Sequence, residues 1–322
     1  MTPVVAATGA GVARLDLGGG DTWQVEIAAH GTGISCVARD PRDPDFLVGG
    51  GRGTGVWESS DGGGNWERVD FPHEDVFSVA VSGADGAIYA GCEPSMLFVN
   101  RDRGGEWTEL ASLREIPSAP TWSFPPRPWT SHVRWIAPSP HDSHLLVGIE
   151  LGGVMRSEDG GATWSDHRPG AQPDCHSLAW HPSTPGRAYE AGGGGAAWSF
   201  DGGATWKAAD AGRDRHYTWA VAVDPQEPDC WFVSASTGPY AAHGRGSAEA
   251  IVYRWRGSGP WEPLAGGLPQ PLDEMPYALA FADGLLLAGL ADGRIYASRD
   301  SGDSWEHVPL SGESPERILA FA

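Results

Sequence analysis

Short apolar runs broken by turns rich in glycine, aspartate and proline recur along the whole chain. One unit shows the pattern. Ser35-Cys36-Val37-Ala38 is an apolar run, followed by a turn holding Asp40-Pro41 and Asp43-Pro44. Phe46-Leu47-Val48-Gly49 and Gly55-Val56-Trp57-Glu58-Ser59 come next, and the segment Ser59–Trp66 turns the chain once more. Runs of this length with β-branched and aromatic residues between turn residues predict short antiparallel strands. The unit repeats. A tryptophan closes the turn at Trp23, Trp66, Trp107, Trp164, Trp206, Trp261 and Trp305, at intervals of 41 to 57 residues. An apolar anchor precedes each closing tryptophan by 26 to 29 residues at Val37, Val79, Ile136, Leu178 and Leu279, and by 40 at Val221. A period near forty residues with about four strands per unit predicts a β-propeller, so the fold class is all-β, with seven four-stranded antiparallel blades. The strands of a blade are named A (inner) to D (outer).

The first unit lacks its own strand A, because Val4–Thr8 already reads as a strand B. The tail Glu316–Ala322 carries the strand A pattern with its anchor at Leu319. The C-terminus is therefore expected to complete blade 1 and close the ring, making residues 1–322 a single propeller domain. Two insertions break the spacing, around 111–132 before blade 4 and around 235–250 inside blade 6.

Charge narrows the partners. With 22 Lys and Arg against 42 Asp and Glu, the formal net charge is −20. Phosphate neutralisation needs clustered basic residues, so neither a nucleic acid nor an anionic membrane surface is an expected partner. No apolar run approaches a membrane-spanning length. Residues 1–15 read as two short strands rather than as a secretory signal, so a cytoplasmic protein is expected. Cys36, Cys92, Cys175 and Cys230 are scattered without a paired spacing, which predicts reduced core residues. Nothing in the chain indicates an oligomeric state.

The turns carry a motif. Ser157-Glu158-Asp159-Gly160-Gly161-Ala162-Thr163-Trp164 and Ser199-Phe200-Asp201-Gly202-Gly203-Ala204-Thr205-Trp206 are its full copies. Ser59–Trp66 and Ser298–Trp305 are close to it, Asn100–Trp107 is weaker, and Asp16–Trp23 and Arg254–Trp261 are degenerate. The motif resembles the Asp-box, or bacterial neuraminidase repeat, and the resemblance extends along the whole chain. It implies a propeller of the kind found in sialidases, xyloglucan-cleaving glycosidases, sortilin-type receptors and photosystem II assembly factors. Many bacterial members are called sialidase-like or glycosyl hydrolase-like. The chain departs from the sialidase pattern. It has seven units rather than six, and the nearest match to an early Arg-Ile-Pro motif, Arg114-Glu115-Ile116-Pro117, has an extra residue. The box itself reads as structural: aspartate accepts turn N–H groups, glycine supplies positive φ, and tryptophan packs between sheets. It lacks the dense oxygen spacing of a calcium loop.

Both insertions belong to the face that carries the D-to-A and B-to-C loops, where binding residues concentrate on a rigid scaffold. Two residues before each strand A anchor, the column reads Ser35, Phe77, Arg134, His176, Trp219, Tyr277 and Arg317. Polar and aromatic residues above an apolar layer are the pattern of a pocket mouth. Arg134 and Arg317 are candidates to grip a carboxylate or phosphate, and inter-blade ion pairing is the alternative. Glu150 and Glu93 lie on B-to-C loops. Glu150 is flanked by apolar residues, and a burial-raised pKa is expected to suit it as a general acid, with Glu93 as the second carboxylate of a glycosidase pair. His176 or Tyr277 is the candidate base of a lyase, and Tyr277 with Glu316 is the nearest candidate for a tyrosine–glutamate pair. Asp174, His132 and His216 precede strands A and join Trp219 as candidate substrate contacts. His132, His176 and His216 come from three blades with no local ligand spacing, so no metal and no cofactor is assigned. Trp122 and Trp129, in the proline-rich segment Trp122–Trp129, are expected to form an indole platform for sugar rings. The blade 6 insertion reads as a lid.

These residues favour a glycan- or small-anion-binding propeller with its site at the channel mouth, with catalysis of a glycoside hydrolase-like or lyase type left open. The alternative is a protein-interaction or assembly module without catalysis.

Overall fold

The computed structural model describes residues 2–16, 22–124 and 130–322. Seven sheets follow one another along the chain, and from the second onward each is antiparallel and begins at the centre. Blade 2 is typical: strands Ile34–Asp40, Asp43–Gly51, Gly55–Ser59 and Glu67–Arg68 pair in sequence order. Blades 3, 5, 6 and 7 repeat this four-strand order. Blade 4 has strands Val133–Pro138, Leu145–Ile149 and Gly153–Ser157, and its fourth position is reduced to a bridge between Arg156 and Ser165. Among the described residues, helix is limited to one turn at Pro239–Ala242 and two short 3-10 segments. No described helix is long and apolar enough to cross a membrane.

The ring closes as the spacing predicts. Ala320–Phe321 pairs with Val4–Ala7, with Phe321 opposite Ala6 and Ala320 opposite Ala7. Val5 and Ala322 exchange two backbone hydrogen bonds of 2.9 and 2.8 Å. The tail also lays Leu310–Gly312 parallel to Trp23–Ala28, giving blade 1 a fifth, outermost strand. Successive inner strands pack side by side around the circle, and the C-terminal strand sits between the inner strands of blades 7 and 2.

The Asp-boxes occupy the C-to-D turns. In the box at Ser157–Trp164, Ser157 Oγ donates to Asp159 Oδ1 and accepts from Gly161 N, while Asp159 accepts from Thr163 N and Thr163 Oγ1. Trp164 Nε1 returns to Gly161 O at 3.0 Å. Gly160 and Gly161 sit at φ of 67° and 94°, where a Cβ is strained. The boxes at Ser59, Ser199 and Ser298 repeat these bonds. All four aspartates are spent on their own turns, which fits a structural role.

One feature of the inner strands is absent from the sequence pattern. Blades 2 to 5 and 7 each carry a register break near the start of strand A, at Ser35, Phe77, Arg134, His176 and Tyr277; in blade 6 the break spans Trp219 and Ala220. A β-bulge leaves one residue unpaired and re-aims its side chain. Six members of the polar-aromatic column fall at these breaks; the seventh, Arg317, precedes the short inner strand Ala320–Phe321, which has none.

Candidate functional site

The bulged column surrounds a cavity of about 730 Å³ that follows the central channel. Ser35, Phe77, Arg134, Trp219, Tyr277 and Arg317 line it, above the apolar anchors Val37, Val79, Ile136, Val221, Leu279 and Leu319. His176 is the exception. Its side chain is wholly buried behind the wall, and its Nδ1 lies 2.6 Å from the carbonyl of Thr218. A carbonyl only accepts, so Nδ1 carries the proton and a neutral ring keeps its lone pair on Nε2.

Glu150 reaches the cavity from the end of strand B of blade 4. Its Oε2 accepts from His132 Nε2 at 2.9 Å and lies 3.6 Å from Arg134 Nε. Burial works to raise its pKa, but the His132 hydrogen bond and the Arg134 charge outweigh burial and hold the carboxyl at about 2. This corrects the expectation of a general acid: Glu150 is an ionised carboxylate. Burial lowers the His132 pKa despite the attraction of Glu150, so a neutral imidazole donates to the carboxylate. His132 stacks on Phe77 at 3.8 Å between ring centroids and meets Phe124 edge-on.

Glu93 does not join Glu150. It is buried against Arg52, with Nη2 to Oε2 at 3.2 Å, and Arg52 also grips Asp75 and lies over the Phe77 ring. Glu93 is absent from the cavity lining, so the glycosidase pairing of Glu93 with Glu150 is not assembled. Asp174 stands beside His176, with Oδ2 3.5 Å from Nε2. Glu150, Asp174 and His176 present ligand atoms that all lie within 4.8 Å of one another. His216 is solvent-exposed and outside the lining, so the three histidines do not gather. Glu316 is likewise exposed and outside it, which leaves Tyr277 without that partner in the site. Trp129 lies outside the described residues. Trp122 is buried among Leu113, Ile116, Val133 and Ile149, with its Nε1 donating to Ser118, so it is core rather than a sugar platform. Leu113 and Ile116 anchor that insertion from within, which the proline-rich composition of the loop did not suggest.

The aromatic wall is continuous. Arg134 lies over the Trp219 ring at 4.5 Å, and Trp219 meets Tyr277 at 5.2 Å. His243, from the blade 6 insertion, closes the set: Nε2 lies 2.9 Å from the Tyr217 hydroxyl and Nδ1 2.8 Å from the Tyr277 hydroxyl. Tyrosines 217 and 277 are raised in pKa by burial, so both remain neutral hydroxyls, and neither is poised as a base. His243 thus clasps the insertion to both tyrosines, Gly246 N–H donates to Glu274 near its far end, and the tip at Tyr240 is 96% exposed. His243→Ala is expected to raise amide exchange across residues 238–244 while costing only about 1–2 kcal/mol of global stability, since two neutral hydrogen bonds are lost. Unchanged exchange in that variant shows that the clasp does not hold the loop.

Among the described residues, four buried polar atoms meet no hydrogen-bond partner at this one place: His132 Nδ1, Arg134 Nε, Asp174 Oδ1 and His176 Nε2. Arg317 is exposed at the rim and makes no ion pair among the described residues.

No family model matches the chain. A curated relative, the photosystem II assembly lipoprotein Ycf48 of Synechococcus sp. (strain CC9902), is 24% identical over 333 residues, covering 98% of this chain and 87% of the relative. A probable oligoxyloglucan-reducing end-specific xyloglucanase of Neosartorya fischeri is 26% identical over 256 residues, covering 63% of this chain and 30% of the relative. Among solved structures, the GH74 xyloglucanase from Xanthomonas campestris superposes with a TM-score of 0.67 at 21% identity, over 99% of this chain and 52% of that one. Ycf48 bound to D1 peptide gives a TM-score of 0.57 at 18% identity, over 85% of this chain and 81% of that one. These likenesses establish the propeller. The chain spans about half or less of the xyloglucanases it matches. The sialidase side of the Asp-box resemblance rests on the boxes alone.

Proposed function

We propose that the channel mouth binds a small polar ligand with an anionic group, a carboxylated sugar being the fitting class. The observation that carries this reading is the meeting, in one cavity of about 730 Å³, of Arg134 and Arg317 with the rings of Trp219 and Tyr277. A guanidinium pairs with a carboxylate through charge-assisted hydrogen bonds, and sugar rings lie on aromatic faces. Arg134 is held in place by Trp219 and Glu150, so little side-chain entropy is lost on binding. Binding comes first in this reading. Catalysis by the pair once assigned to Glu93 and Glu150 is not part of it, because Arg52 engages Glu93.

Tryptophan fluorescence titrations with uronic and sialic acids test the proposal. Saturable quenching is expected in the wild type and at least tenfold weaker binding in Arg134→Ala, the loss of one charge-assisted contact. No saturable response to any acidic sugar, or equal affinity in the variant, overturns it. Fluorogenic uronides and sialosides run in parallel: turnover that disappears in Glu150→Gln extends the reading to hydrolysis.

A second reading has one observation in its favour. The Ycf48 alignment runs nearly end to end on both chains, unlike the match to the fungal xyloglucanase. The occupant is then a peptide end whose terminal carboxylate meets Arg134. Peptides with free and amidated C-termini separate this case from the first, because only the free acid competes with the sugar acids if both use Arg134.

A further inference from the structure

We propose that Glu150, Asp174 and His176 form a binding site for one divalent first-row metal ion, of the Zn²⁺ or Mn²⁺ class, in the wall of the channel mouth. The argument begins with the histidine. Its Nδ1–H is committed to the Thr218 carbonyl at 2.6 Å, which leaves Nε2 as the nitrogen that faces Asp174 Oδ2, 3.5 Å away. A nitrogen and a carboxylate oxygen at that distance need a positive centre between them, a proton or a metal ion. The side chain is wholly buried and Nε2 finds no hydrogen-bond donor among the described residues. Metal-bound histidines have this arrangement, with one nitrogen donated to a backbone carbonyl and the other held for the ion.

The carboxylates supply the rest. Asp174 Oδ1 is buried without a partner. A Cβ at position 193 would stand 2.0 Å from Asp174 Oδ2, so Gly193 leaves the carboxylate its place. The contacts of Glu150 to His132 and Arg134 both fall on Oε2, which leaves Oε1 for a further ligand. His132 then orients a metal-binding carboxylate through a hydrogen bond, as outer-shell partners do. The three ligand atoms lie within 4.8 Å of one another. A tetrahedral ion holds its ligand atoms about 3.4 Å apart, so the groups close by roughly 1 Å on binding, within the reach of side-chain torsions. One imidazole with two carboxylates suits Zn²⁺ or Mn²⁺ and not the all-oxygen preference of Ca²⁺. Two negative charges balance the ion, and Arg134 on the other side of Glu150 favours an anionic group at the position left open.

This inference goes beyond ligand recognition and is tested without a sugar. The full chain is stripped with a chelator and titrated with Mn²⁺ under electron paramagnetic resonance, and with Zn²⁺ by calorimetry. One ion per chain is expected, with at least tenfold weaker affinity in Asp174→Asn and in Glu150→Gln, both nearly isosteric. Melting profiles establish that each variant is folded before it is titrated, and a variant that does not fold is replaced by Asp174→Ser or Glu150→Ser. The proposal is overturned if the folded wild type binds neither ion saturably, as it would if a proton fills the gap, or if both variants bind as tightly as the wild type. Binding of uronic acids by the chelated protein is measured separately, so either reading can fail while the other stands.

Discussion

Deleting Pro315–Ala322 is expected to abolish cooperative unfolding and leave the protein largely insoluble. The segment supplies the inner strand of blade 1, so its loss uncovers the N–H and C=O groups of Val4–Ala7 toward the channel. It also removes Ile318, which is fully buried among Val4, Ala6, Ala278 and Leu287 and joins blade 7 through its N–H to the carbonyl of Leu290 at 2.9 Å. Arg39 from blade 2 reaches the carbonyl of Ala322 at 3.3 Å, so three blades meet on this tail. An open ring presents unpaired strand edges and the apolar faces of two blades, the conditions for aggregation. Ile318→Ala isolates the packing part and is expected to cost about 2–5 kcal/mol, read from the denaturant midpoint. A circular permutant that joins residues 315–322 to the start of the chain ahead of Met1 leaves enough residues for the turn before Val5, restores the local order found in the other blades and is expected to stay folded. A deletion that melts like the wild type shows that ring closure contributes nothing to stability.

Blade number, the four-strand order of most blades and closure were legible in the sequence because they rest on local chemistry: period-two apolar runs, turn residues and a repeated tryptophan. The column Ser35, Phe77, Arg134, Trp219, Tyr277 and Arg317 was legible for the same reason, since each blade repeats one spacing. The bulges were not. An irregularity shared by the inner strands of blades 2 to 7 leaves the spacing between those blades unchanged, so no comparison of units reveals it. Charge states were equally hidden. Whether Glu150 is a proton donor depends on His132 and Arg134, both on the neighbouring strand, and hydrophobic flanks alone pointed the wrong way. Glu93 is tied by Arg52, 41 residues earlier, through a contact between blades that no local pattern encodes. Trp122 looked like a binding platform because its loop is rich in proline, yet the insertion folds back and buries the indole. Composition names the residue types of a loop and not the direction in which they point.

Glu190 was not singled out by its sequence context, yet it gives the strongest expected dependence of stability on pH. It lies fully buried on strand Ala188–Gly192, opposite Leu178 of the paired strand Cys175–Trp180 that bears His176. Burial is the dominant influence. The backbone N–H of Gln172 lies 3.1 and 3.0 Å from its two oxygens and favours the charged form, as does the Cys175 thiol, but burial prevails and pushes the pKa from 4.5 to about 8. The native chain therefore keeps a proton that the unfolded chain has already released. That contribution to stability is fully present below pH 4.5 and is lost as pH rises toward 8, at roughly 1.4 kcal/mol per pH unit, on the order of 5 kcal/mol in all. Other groups titrate over the same range, so the difference from Glu190→Gln carries the result. The amide keeps the volume and stays neutral throughout. At pH 5 the variant is expected to be similar to the wild type or slightly less stable, because its NH₂ group finds only the weak acceptor Cys175. At pH 8.5 it is expected to be the more stable protein, with the gap between the two having moved by on the order of 4–5 kcal/mol in urea unfolding. A gap that stays constant to within about 1 kcal/mol across that range means that Glu190 is not protonated in the native protein at neutral pH.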